Sequence, residues 1–341
     1  MDMERSAARY SRCRQITREE TDMAKPFASS ADLAEKKETL EILADGVYAL
    51  TAEGDPNVGA IEGEDFLVCF EARATPAAAR DWLAKLREHT DKPIKYLVLT
   101  HYHAVRVLGA SAFGAEQIIT SETTRKLIEE RGKQDWDSEY GRMPRLFKQP
   151  EEIPGLTWPT KTFEDAFSIE LGGDRGRIDL QFCGRGHTAG DIVAWHEKSR
   201  TLFAGDLVEA EAALYTGDAF HFDWSSGTLD KVKAYRSENL IGGRGAVAKG
   251  VAATDAAVEQ TREFLKVMIE QTGAVHKRGG TLKEAFEATH AALGPKFGRW
   301  PIFEHCLPFD VQRLWDEFDG IDWPRIWTME RDREVWDLLQ G

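Results

Sequence analysis

The segment Ile94-Lys95-Tyr96-Leu97-Val98-Leu99-Thr100 constrains this chain most, because it leads directly into His101-Tyr102-His103. A short apolar run of this kind reads as a buried strand carrying its last residues to the edge of a sheet. A His-x-His pair delivered there is a metal-binding pattern, since neutral imidazole is a common ligand for transition-metal ions. The residues that follow, Val105 and Arg106, are not ligands.

The rest of the chain supplies more strands. Gly46–Leu50, Asn57–Glu62 and Asp65–Phe70 read as three short strands, suggesting an antiparallel sheet at the start of the domain. Thr75-Pro76 opens a helix, with Thr as the cap and Pro in the first turn, and Ala79, Trp82, Leu83 and Leu86 recur at helical spacing. A helix is predicted over about Glu122–Arg131, followed by an irregular segment to about Pro159. Phe167–Leu171, Ile178–Phe182, Ile192–Trp195 and Thr201–Ala204 are further strands. After about Asp255 the pattern turns helical, and the end of the chain is dense in aromatic residues. Strand-rich blocks with helices outside them suggest an α/β sandwich.

Composition narrows the partners. With 341 residues, 42% hydrophobic and 30% charged, the chain is ordinary for a soluble protein with a sizeable core. The formal net charge of −14 argues against nucleic acid. No run approaches the roughly 18 apolar residues of a membrane span. Residues 1–37 hold no apolar signal core, so the expected location is cytoplasmic. Cys13, Cys69, Cys183 and Cys306 are scattered, which argues against a disulfide framework.

The ordering of five motifs resembles the metallo-β-lactamase superfamily over roughly residues 40–250. They are Asn57–Gly63, His101-Tyr102-His103, Gly184-Arg185-Gly186-His187-Thr188-Ala189-Gly190-Asp191, Leu202–Asp206, and Ile241-Gly242-Gly243-Arg244-Gly245. That family carries His-x-His-x-Asp-His, where this chain has Val105 and Arg106 at the last two positions; the fifth motif has Arg244 where the family usually has His. Glu71 stands where the family often has Asp. The resemblance implies a four-layer αβ/βα metallo-β-lactamase sandwich over residues 38–255. An N-terminal arm (1–37) would precede it, and a helical, aromatic-rich extension (256–341) would pack on the same domain.

The resemblance also implies a site. His101, His103 and His187 match the three histidines of the family's first metal site, and Asp206 matches the carboxylate that approaches both metals. Three histidines with an open position suit one catalytic Zn²⁺, though imidazole suits iron as well. Arg106 and Arg244 occupy second-site positions, and two readings stand. Either they take over part of that metal's charge in catalysis, holding Asp206 and stabilising an anion, or they fill the vacancy as a buried salt bridge. The catalytic version expects Arg106→Ala to harm turnover more than folding.

The implied activity is a single-metal hydrolase supplying hydroxide to a small organic substrate: an ester, lactone, thioester, amide or activated halide. Two other readings are a mononuclear iron enzyme acting on a sulfur compound and a catalytically silent binding protein. His221 and His305 are candidate substrate-binding residues, each weighed against a structural role. Thr188 and Asp191 are read as bracing the His187 loop, and Glu209 and Glu211 as solvated surface. The polar arm and aromatic C-terminus suggest a homodimer.

Overall fold

The computed structural model describes residues 25–340. Residues 1–24 of the expected arm, with Cys13, lie outside the described residues. In the described part of the arm, Phe27 packs its ring against Trp336 and Phe309, at centroid distances of 5.4 and 6.3 Å.

Two sheets form the centre. In the first, β1 (Glu38–Ala44), β2 (Val47–Ala52), β3 (Val58–Glu62), β4 (Leu67–Phe70), β5 (Ile94–Val98), β6 (Gln117–Ser121) and β7 (Lys161–Phe163) lie side by side in chain order. Pairing is antiparallel up to β4 and parallel from there to β7. The second sheet contains β8 (Ala166–Glu170), β9 (Arg177–Phe182), β10 (Ile192–His196), β11 (Thr201–Gly205), β12 (Asn239–Gly242) and β13 (Ala248–Lys249). Its order is β13-β12-β11-β10-β9-β8, with β11 and β12 parallel. The strands expected from the sequence are all present. β1, β6, β7, β12 and β13 are additional; β1 is a half-exposed edge whose seven residues never settle into a buried run.

The sheets face each other because their strands are apolar on both sides. Along β2, Val47 and Ala49 join Val68, Phe70 and Val98 against Ile178, Leu180 and Phe203 of the second sheet. Successive side chains point to opposite faces, so Tyr48 and Leu50 emerge on the outer face with Leu97. There they meet α1 (Pro76–Leu86), which buries Ala79, Trp82 and Leu86. Thr75 caps α1 as expected, its hydroxyl accepting from Ala78 N–H at 3.1 Å.

The chain continues through a short helix α2 (Ala104–Val107) and a long one, α3 (Glu122–Arg142). A helix was expected to stop near Arg131; α3 runs eleven residues further, to Arg142. Its buried residues explain the difference. Beyond Leu127 and Ile128 they are Arg131, Gly132, Asp135, Ser138, Glu139 and Arg142. A polar inner face removes the apolar periodicity by which a sequence announces a helix.

After α4 (Leu229–Ala234) come four helices: α5 (Val251–Lys277), α6 (Leu282–Phe297), α7 (Phe303–Phe318) and α8 (Met329–Gln340). Their Phe264, Leu265, Met268, Phe297, Phe309 and Trp336 share one apolar cluster with Val193, Leu202 and Leu240 of the second sheet. The layers are therefore helix, sheet, sheet, helix. Among the described residues, no helix is long and apolar enough to cross a membrane.

Candidate metal centre

Every motif of the sequence converges on one edge of the two sheets. His101 and His103 follow β5, His187 lies in the β9–β10 loop, Asp206 follows β11, and Arg244 lies just beyond β12. The approach of β11 to β5 depends on Gly205, at φ 54°. A side chain there would run into Thr100, whose Cβ would be 2.8 Å away.

Among the described residues, His101, His103 and His187 are the one group of His, Cys, Asp or Glu able to hold a metal ion. One nitrogen of each falls within 4.8 Å of the others, and all three side chains are buried. Each ring is oriented from behind. His101 Nδ1 meets Thr100 Oγ1 at 2.9 Å, which leaves its buried Nε2 without a partner. His187 Nδ1 donates to the Tyr215 carbonyl at 2.9 Å, and its Nε2 lies 3.0 Å from His103 Nδ1. His103 Nε2 is 3.3 Å from Asp218 Oδ2, and Asp218 also accepts from Arg131 Nη1 at 3.1 Å. Tautomers follow from these partners.

The charges around the rings differ. Burial opposes charge on His103, but Asp135, Asp218 and Glu139 outweigh it and push its pKa up to about 9. Burial depresses His187 to about 3, helped by His103 and the two arginines, and holds His101 well below its ordinary value. A proton on His103 Nδ1 therefore bridges to His187 Nε2 in the space where the three nitrogens converge. The three nitrogens converge from three sides, one of them orphaned, and once a cation displaces the bridging His103 proton they fit one borderline ion such as Zn²⁺ or iron. The oriented outer nitrogens match what such ligands need.

The neighbouring position is filled by guanidinium. Arg106 is fully buried; its Nη2 contacts Asp206 Oδ1 and donates to the Gly243 carbonyl at 2.8 Å, and its Nη1 donates to the Asn57 carbonyl at 3.3 Å. Arg244 Nη1 donates to Asp206 Oδ2 at 3.0 Å and to Glu209 Oε1 at 3.1 Å. Asp206 Oδ2 lies 3.6 Å from His187 Nε2 and 3.8 Å from His101 Nε2. Burial alone would neutralise Asp206, but Arg106, His101, Arg244 and His187 keep it ionised, well below the usual carboxylate range. Gly243 makes room for this: a Cβ there would strike Asp206 Oδ1 and come within 2.7 Å of Arg106 Nη2.

Several residues prove to belong to the site without a motif to mark them. Asp135 Oδ2 and Glu139 Oε2 of α3 accept the Ala104 and Val105 N–H groups, at 2.6 and 3.0 Å, and so cap α2 directly behind the His-x-His pair. Their spacing with Arg131 and Arg142 is a polar stripe at helical period, the one signal in the sequence that marks them. Glu209, expected on the solvated surface, is buried against Arg244; burial and Asp206 raise its carboxyl to about 8. Glu211 is exposed, as expected. Glu71 accepts from Thr100 N–H at 3.0 Å and so supports the histidine loop despite replacing Asp. Thr188 and Asp191 bond each other through Thr188 N–H at 2.7 Å and Oγ1 at 2.6 Å, bracing the His187 loop.

The two remaining candidates separate. His221 is engaged at both nitrogens, by Glu317 Oε2 at 2.5 Å and Thr216 Oγ1 at 2.8 Å. His305, on α7, is equally buried but has no partner at either nitrogen.

The family model of the metallo-beta-lactamase superfamily matches residues 52–244, a segment holding the three histidines, Asp206, Arg106 and Arg244. A linear primary-alkylsulfatase from Pseudomonas sp. (strain ATCC 19151) is 22% identical, aligned over 82% of this chain and 60% of its own length. A metallo-beta-lactamase type 2 from Bacillus sp. (strain 170) is 23% identical over 51% of this chain and 60% of its own. The chain thus spans about 60% of the length of the curated relatives it matches. Among solved structures, a double mutant of a sec-alkyl sulfatase superposes with a TM-score of 0.66 at 17% identity, covering 83% of this chain and 50% of that one. A metallo-beta-lactamase from Pontibacter korlensis gives 0.53 at 18% identity, covering 67% and 99%. At such identities the structural likeness speaks for the fold alone.

Proposed function

The chain belongs to the metallo-beta-lactamase superfamily, and from that premise we propose that it is a single-metal hydrolase of a small organic ester. The observation that carries this reading is the asymmetry of the site. One set of three histidines is complete and oriented, whereas Arg106 and Arg244 occupy the adjoining position and already engage both oxygens of Asp206.

His101, His103 and His187 would hold the ion. A cation there supplies a polarised water at neutral pH and charge for a developing oxyanion. The protein's own groups do the rest. Asp218 and the Tyr215 carbonyl fix the rings of His103 and His187. Asp206, held ionised, is a weak proton acceptor; its role is to keep the two guanidiniums in register beside the rings. Those guanidiniums place fixed positive charge where an anion would form, which costs no reorganisation during the reaction. His221, tied at both ends, is assigned to positioning the Thr216 segment.

The ester class is open to screening, and the likeness to a linear primary-alkylsulfatase puts sulfate esters first, ahead of carboxylic esters and lactones. Purified protein, with a His103→Ala control, is to be analysed for metals by plasma mass spectrometry. About one zinc per chain, lost in the variant, is the expected result. One iron would redirect the search to oxygen-dependent chemistry, and no metal after reconstitution would overturn the reading.

A further inference from the structure

Among the described residues, several buried side-chain nitrogens without partners lie where the C-terminal helices pack. His305 Nδ1 and Nε2, Arg142 Nη1 and Arg244 Nε are all buried without a hydrogen-bond partner. A buried donor left unmade costs about 1–3 kcal/mol, and more when charged. Several within one neighbourhood therefore form a prepared site.

The neighbourhood is defined by its rings. The Arg142 guanidinium sits 4.6 Å from the Phe309 ring centroid and 5.0 Å from that of Tyr215. The His305 ring lies tilted against the same Phe309 at 5.7 Å, and Tyr215 lies 5.6 Å from His103 of the triad. Arg142 and Arg244 both act on His305, adding to the burial that keeps its ring neutral. Arg142 is held in place by Ser138 Oγ at 3.2 Å and Tyr215 Oη at 3.4 Å; Asp332, its nearest carboxylate, stays 3.6 Å from Nε.

We propose that Arg142, Arg244 and His305 form a subsite for a small oxyanion, which each would satisfy with a donor that is otherwise unpaired. If the single-metal hydrolase reading holds, this subsite takes the anionic group of the substrate, so the substrate class is an organic acid or a sulfate ester. A cleft of about 300 Å³, lined by Met143, Ile302, Gly54, Asp55, Arg145 and Arg299, opens at residues that flank this group in the chain. Met143 adjoins Arg142, and Ile302 opens the helix that carries His305. Ile302 is β-branched yet has φ 60°, a strained conformation of the kind held at ligand sites.

The test reads binding, not turnover. Thermal unfolding of the metal-loaded and the metal-stripped protein is followed against sodium sulfate and sodium acetate, with chloride as the ionic-strength control. Either oxyanion raises the midpoint beyond chloride in both forms, and the stronger of the two identifies the group. His305→Leu removes a donor that has no partner, so the free protein keeps or raises its midpoint while oxyanion affinity falls about tenfold or more. Arg142→Gln weakens binding at least as much. No stabilisation by either anion overturns the subsite, as does an unchanged anion response in His305→Leu. Because the stripped protein is measured too, a failed hydrolase assignment leaves this result standing, and a failed subsite leaves the metal content untouched.

Discussion

Arg106→Ala is the most informative single change. The substitution leaves Asp206 ionised and buried beside Arg244 alone, and it strips the Asn57 carbonyl of its Arg106 donor. Gly243 is spared, because its carbonyl also accepts from Asn57 N–H at 2.8 Å. Removing one partner of a buried pair costs about 3–5 kcal/mol, and one orphaned carbonyl adds roughly 1–3 kcal/mol. The total, about 4–8 kcal/mol, is a large part of the ~5–15 kcal/mol that holds a typical domain folded. Urea unfolding followed by the fluorescence of the ten tryptophans measures it. With a slope near 3 kcal/mol/M, the midpoint falls by about 1 M or more. Folding and turnover then fail together, which assigns Arg106 a structural burden besides any part in the reaction. A midpoint within about 0.3 M of the parent, corresponding to roughly 1 kcal/mol, would refute the reasoning. The double variant Arg106→Ala/Asp206→Ala should lose less than the two single losses combined, since the unpaired carboxylate goes with its partner.

The other predictions concern neighbours. Arg244→Gln costs only about 1–3 kcal/mol, because Asp206 keeps Arg106 and Glu209, with its raised pKa, takes up a proton. Metal content should stay the same while turnover falls. Asp218→Asn loosens metal binding about 10–100-fold, measured by chelator competition. Arg131 and His103 depress the Asp218 carboxyl to about 2 against the burial that opposes them. Its stabilisation is therefore present above pH ~4 and lost as the pH falls towards 2, about 2 kcal/mol in all. Asp218→Asn should flatten the acid limb of a stability–pH curve of the stripped protein, and an unchanged limb would count against the pair. Gly243→Ala forces Asp206 and Arg106 apart and lowers the urea midpoint markedly. His221→Ala destabilises by about 1–3 kcal/mol through the stranded Glu317 and Thr216, yet leaves bound metal per chain unaltered.

The central strands were legible because burial on both faces writes itself as continuous apolar runs such as Leu67–Phe70 and Leu97–Leu99. The candidate metal-binding histidines were legible because such residues cluster at strand ends with fixed spacing. Edge strands such as β1 and β13 were not, since half-exposed pairing imposes little pattern. The far half of α3 was hidden for a different reason: Asp135, Glu139 and Arg142 are charged residues doing buried work, and sequence reasoning assigns charge to solvent. Glu209 was misplaced by the same rule. Its burial depends on Arg244, a residue 35 positions away that only the fold brings to it. The sequence leaned towards a structural role for His305 and left His221 even between site and surface, but it could not supply their partners; the structure pairs His221 at both nitrogens and His305 at neither.

The arginine-filled position has a consequence for how sequences can move. A route from this site to one with a second ion must change Val105, Arg106 and Arg244 into ligands. Each is a separate substitution, and the intermediate lacking Arg106 strands a buried carboxylate before any cation has enough ligands to replace the lost charge. The two kinds of site are thus separated by a valley of unstable intermediates, although their backbones superpose. A lineage on the arginine side is held there by the instability of its nearest neighbours as much as by the merits of its own chemistry.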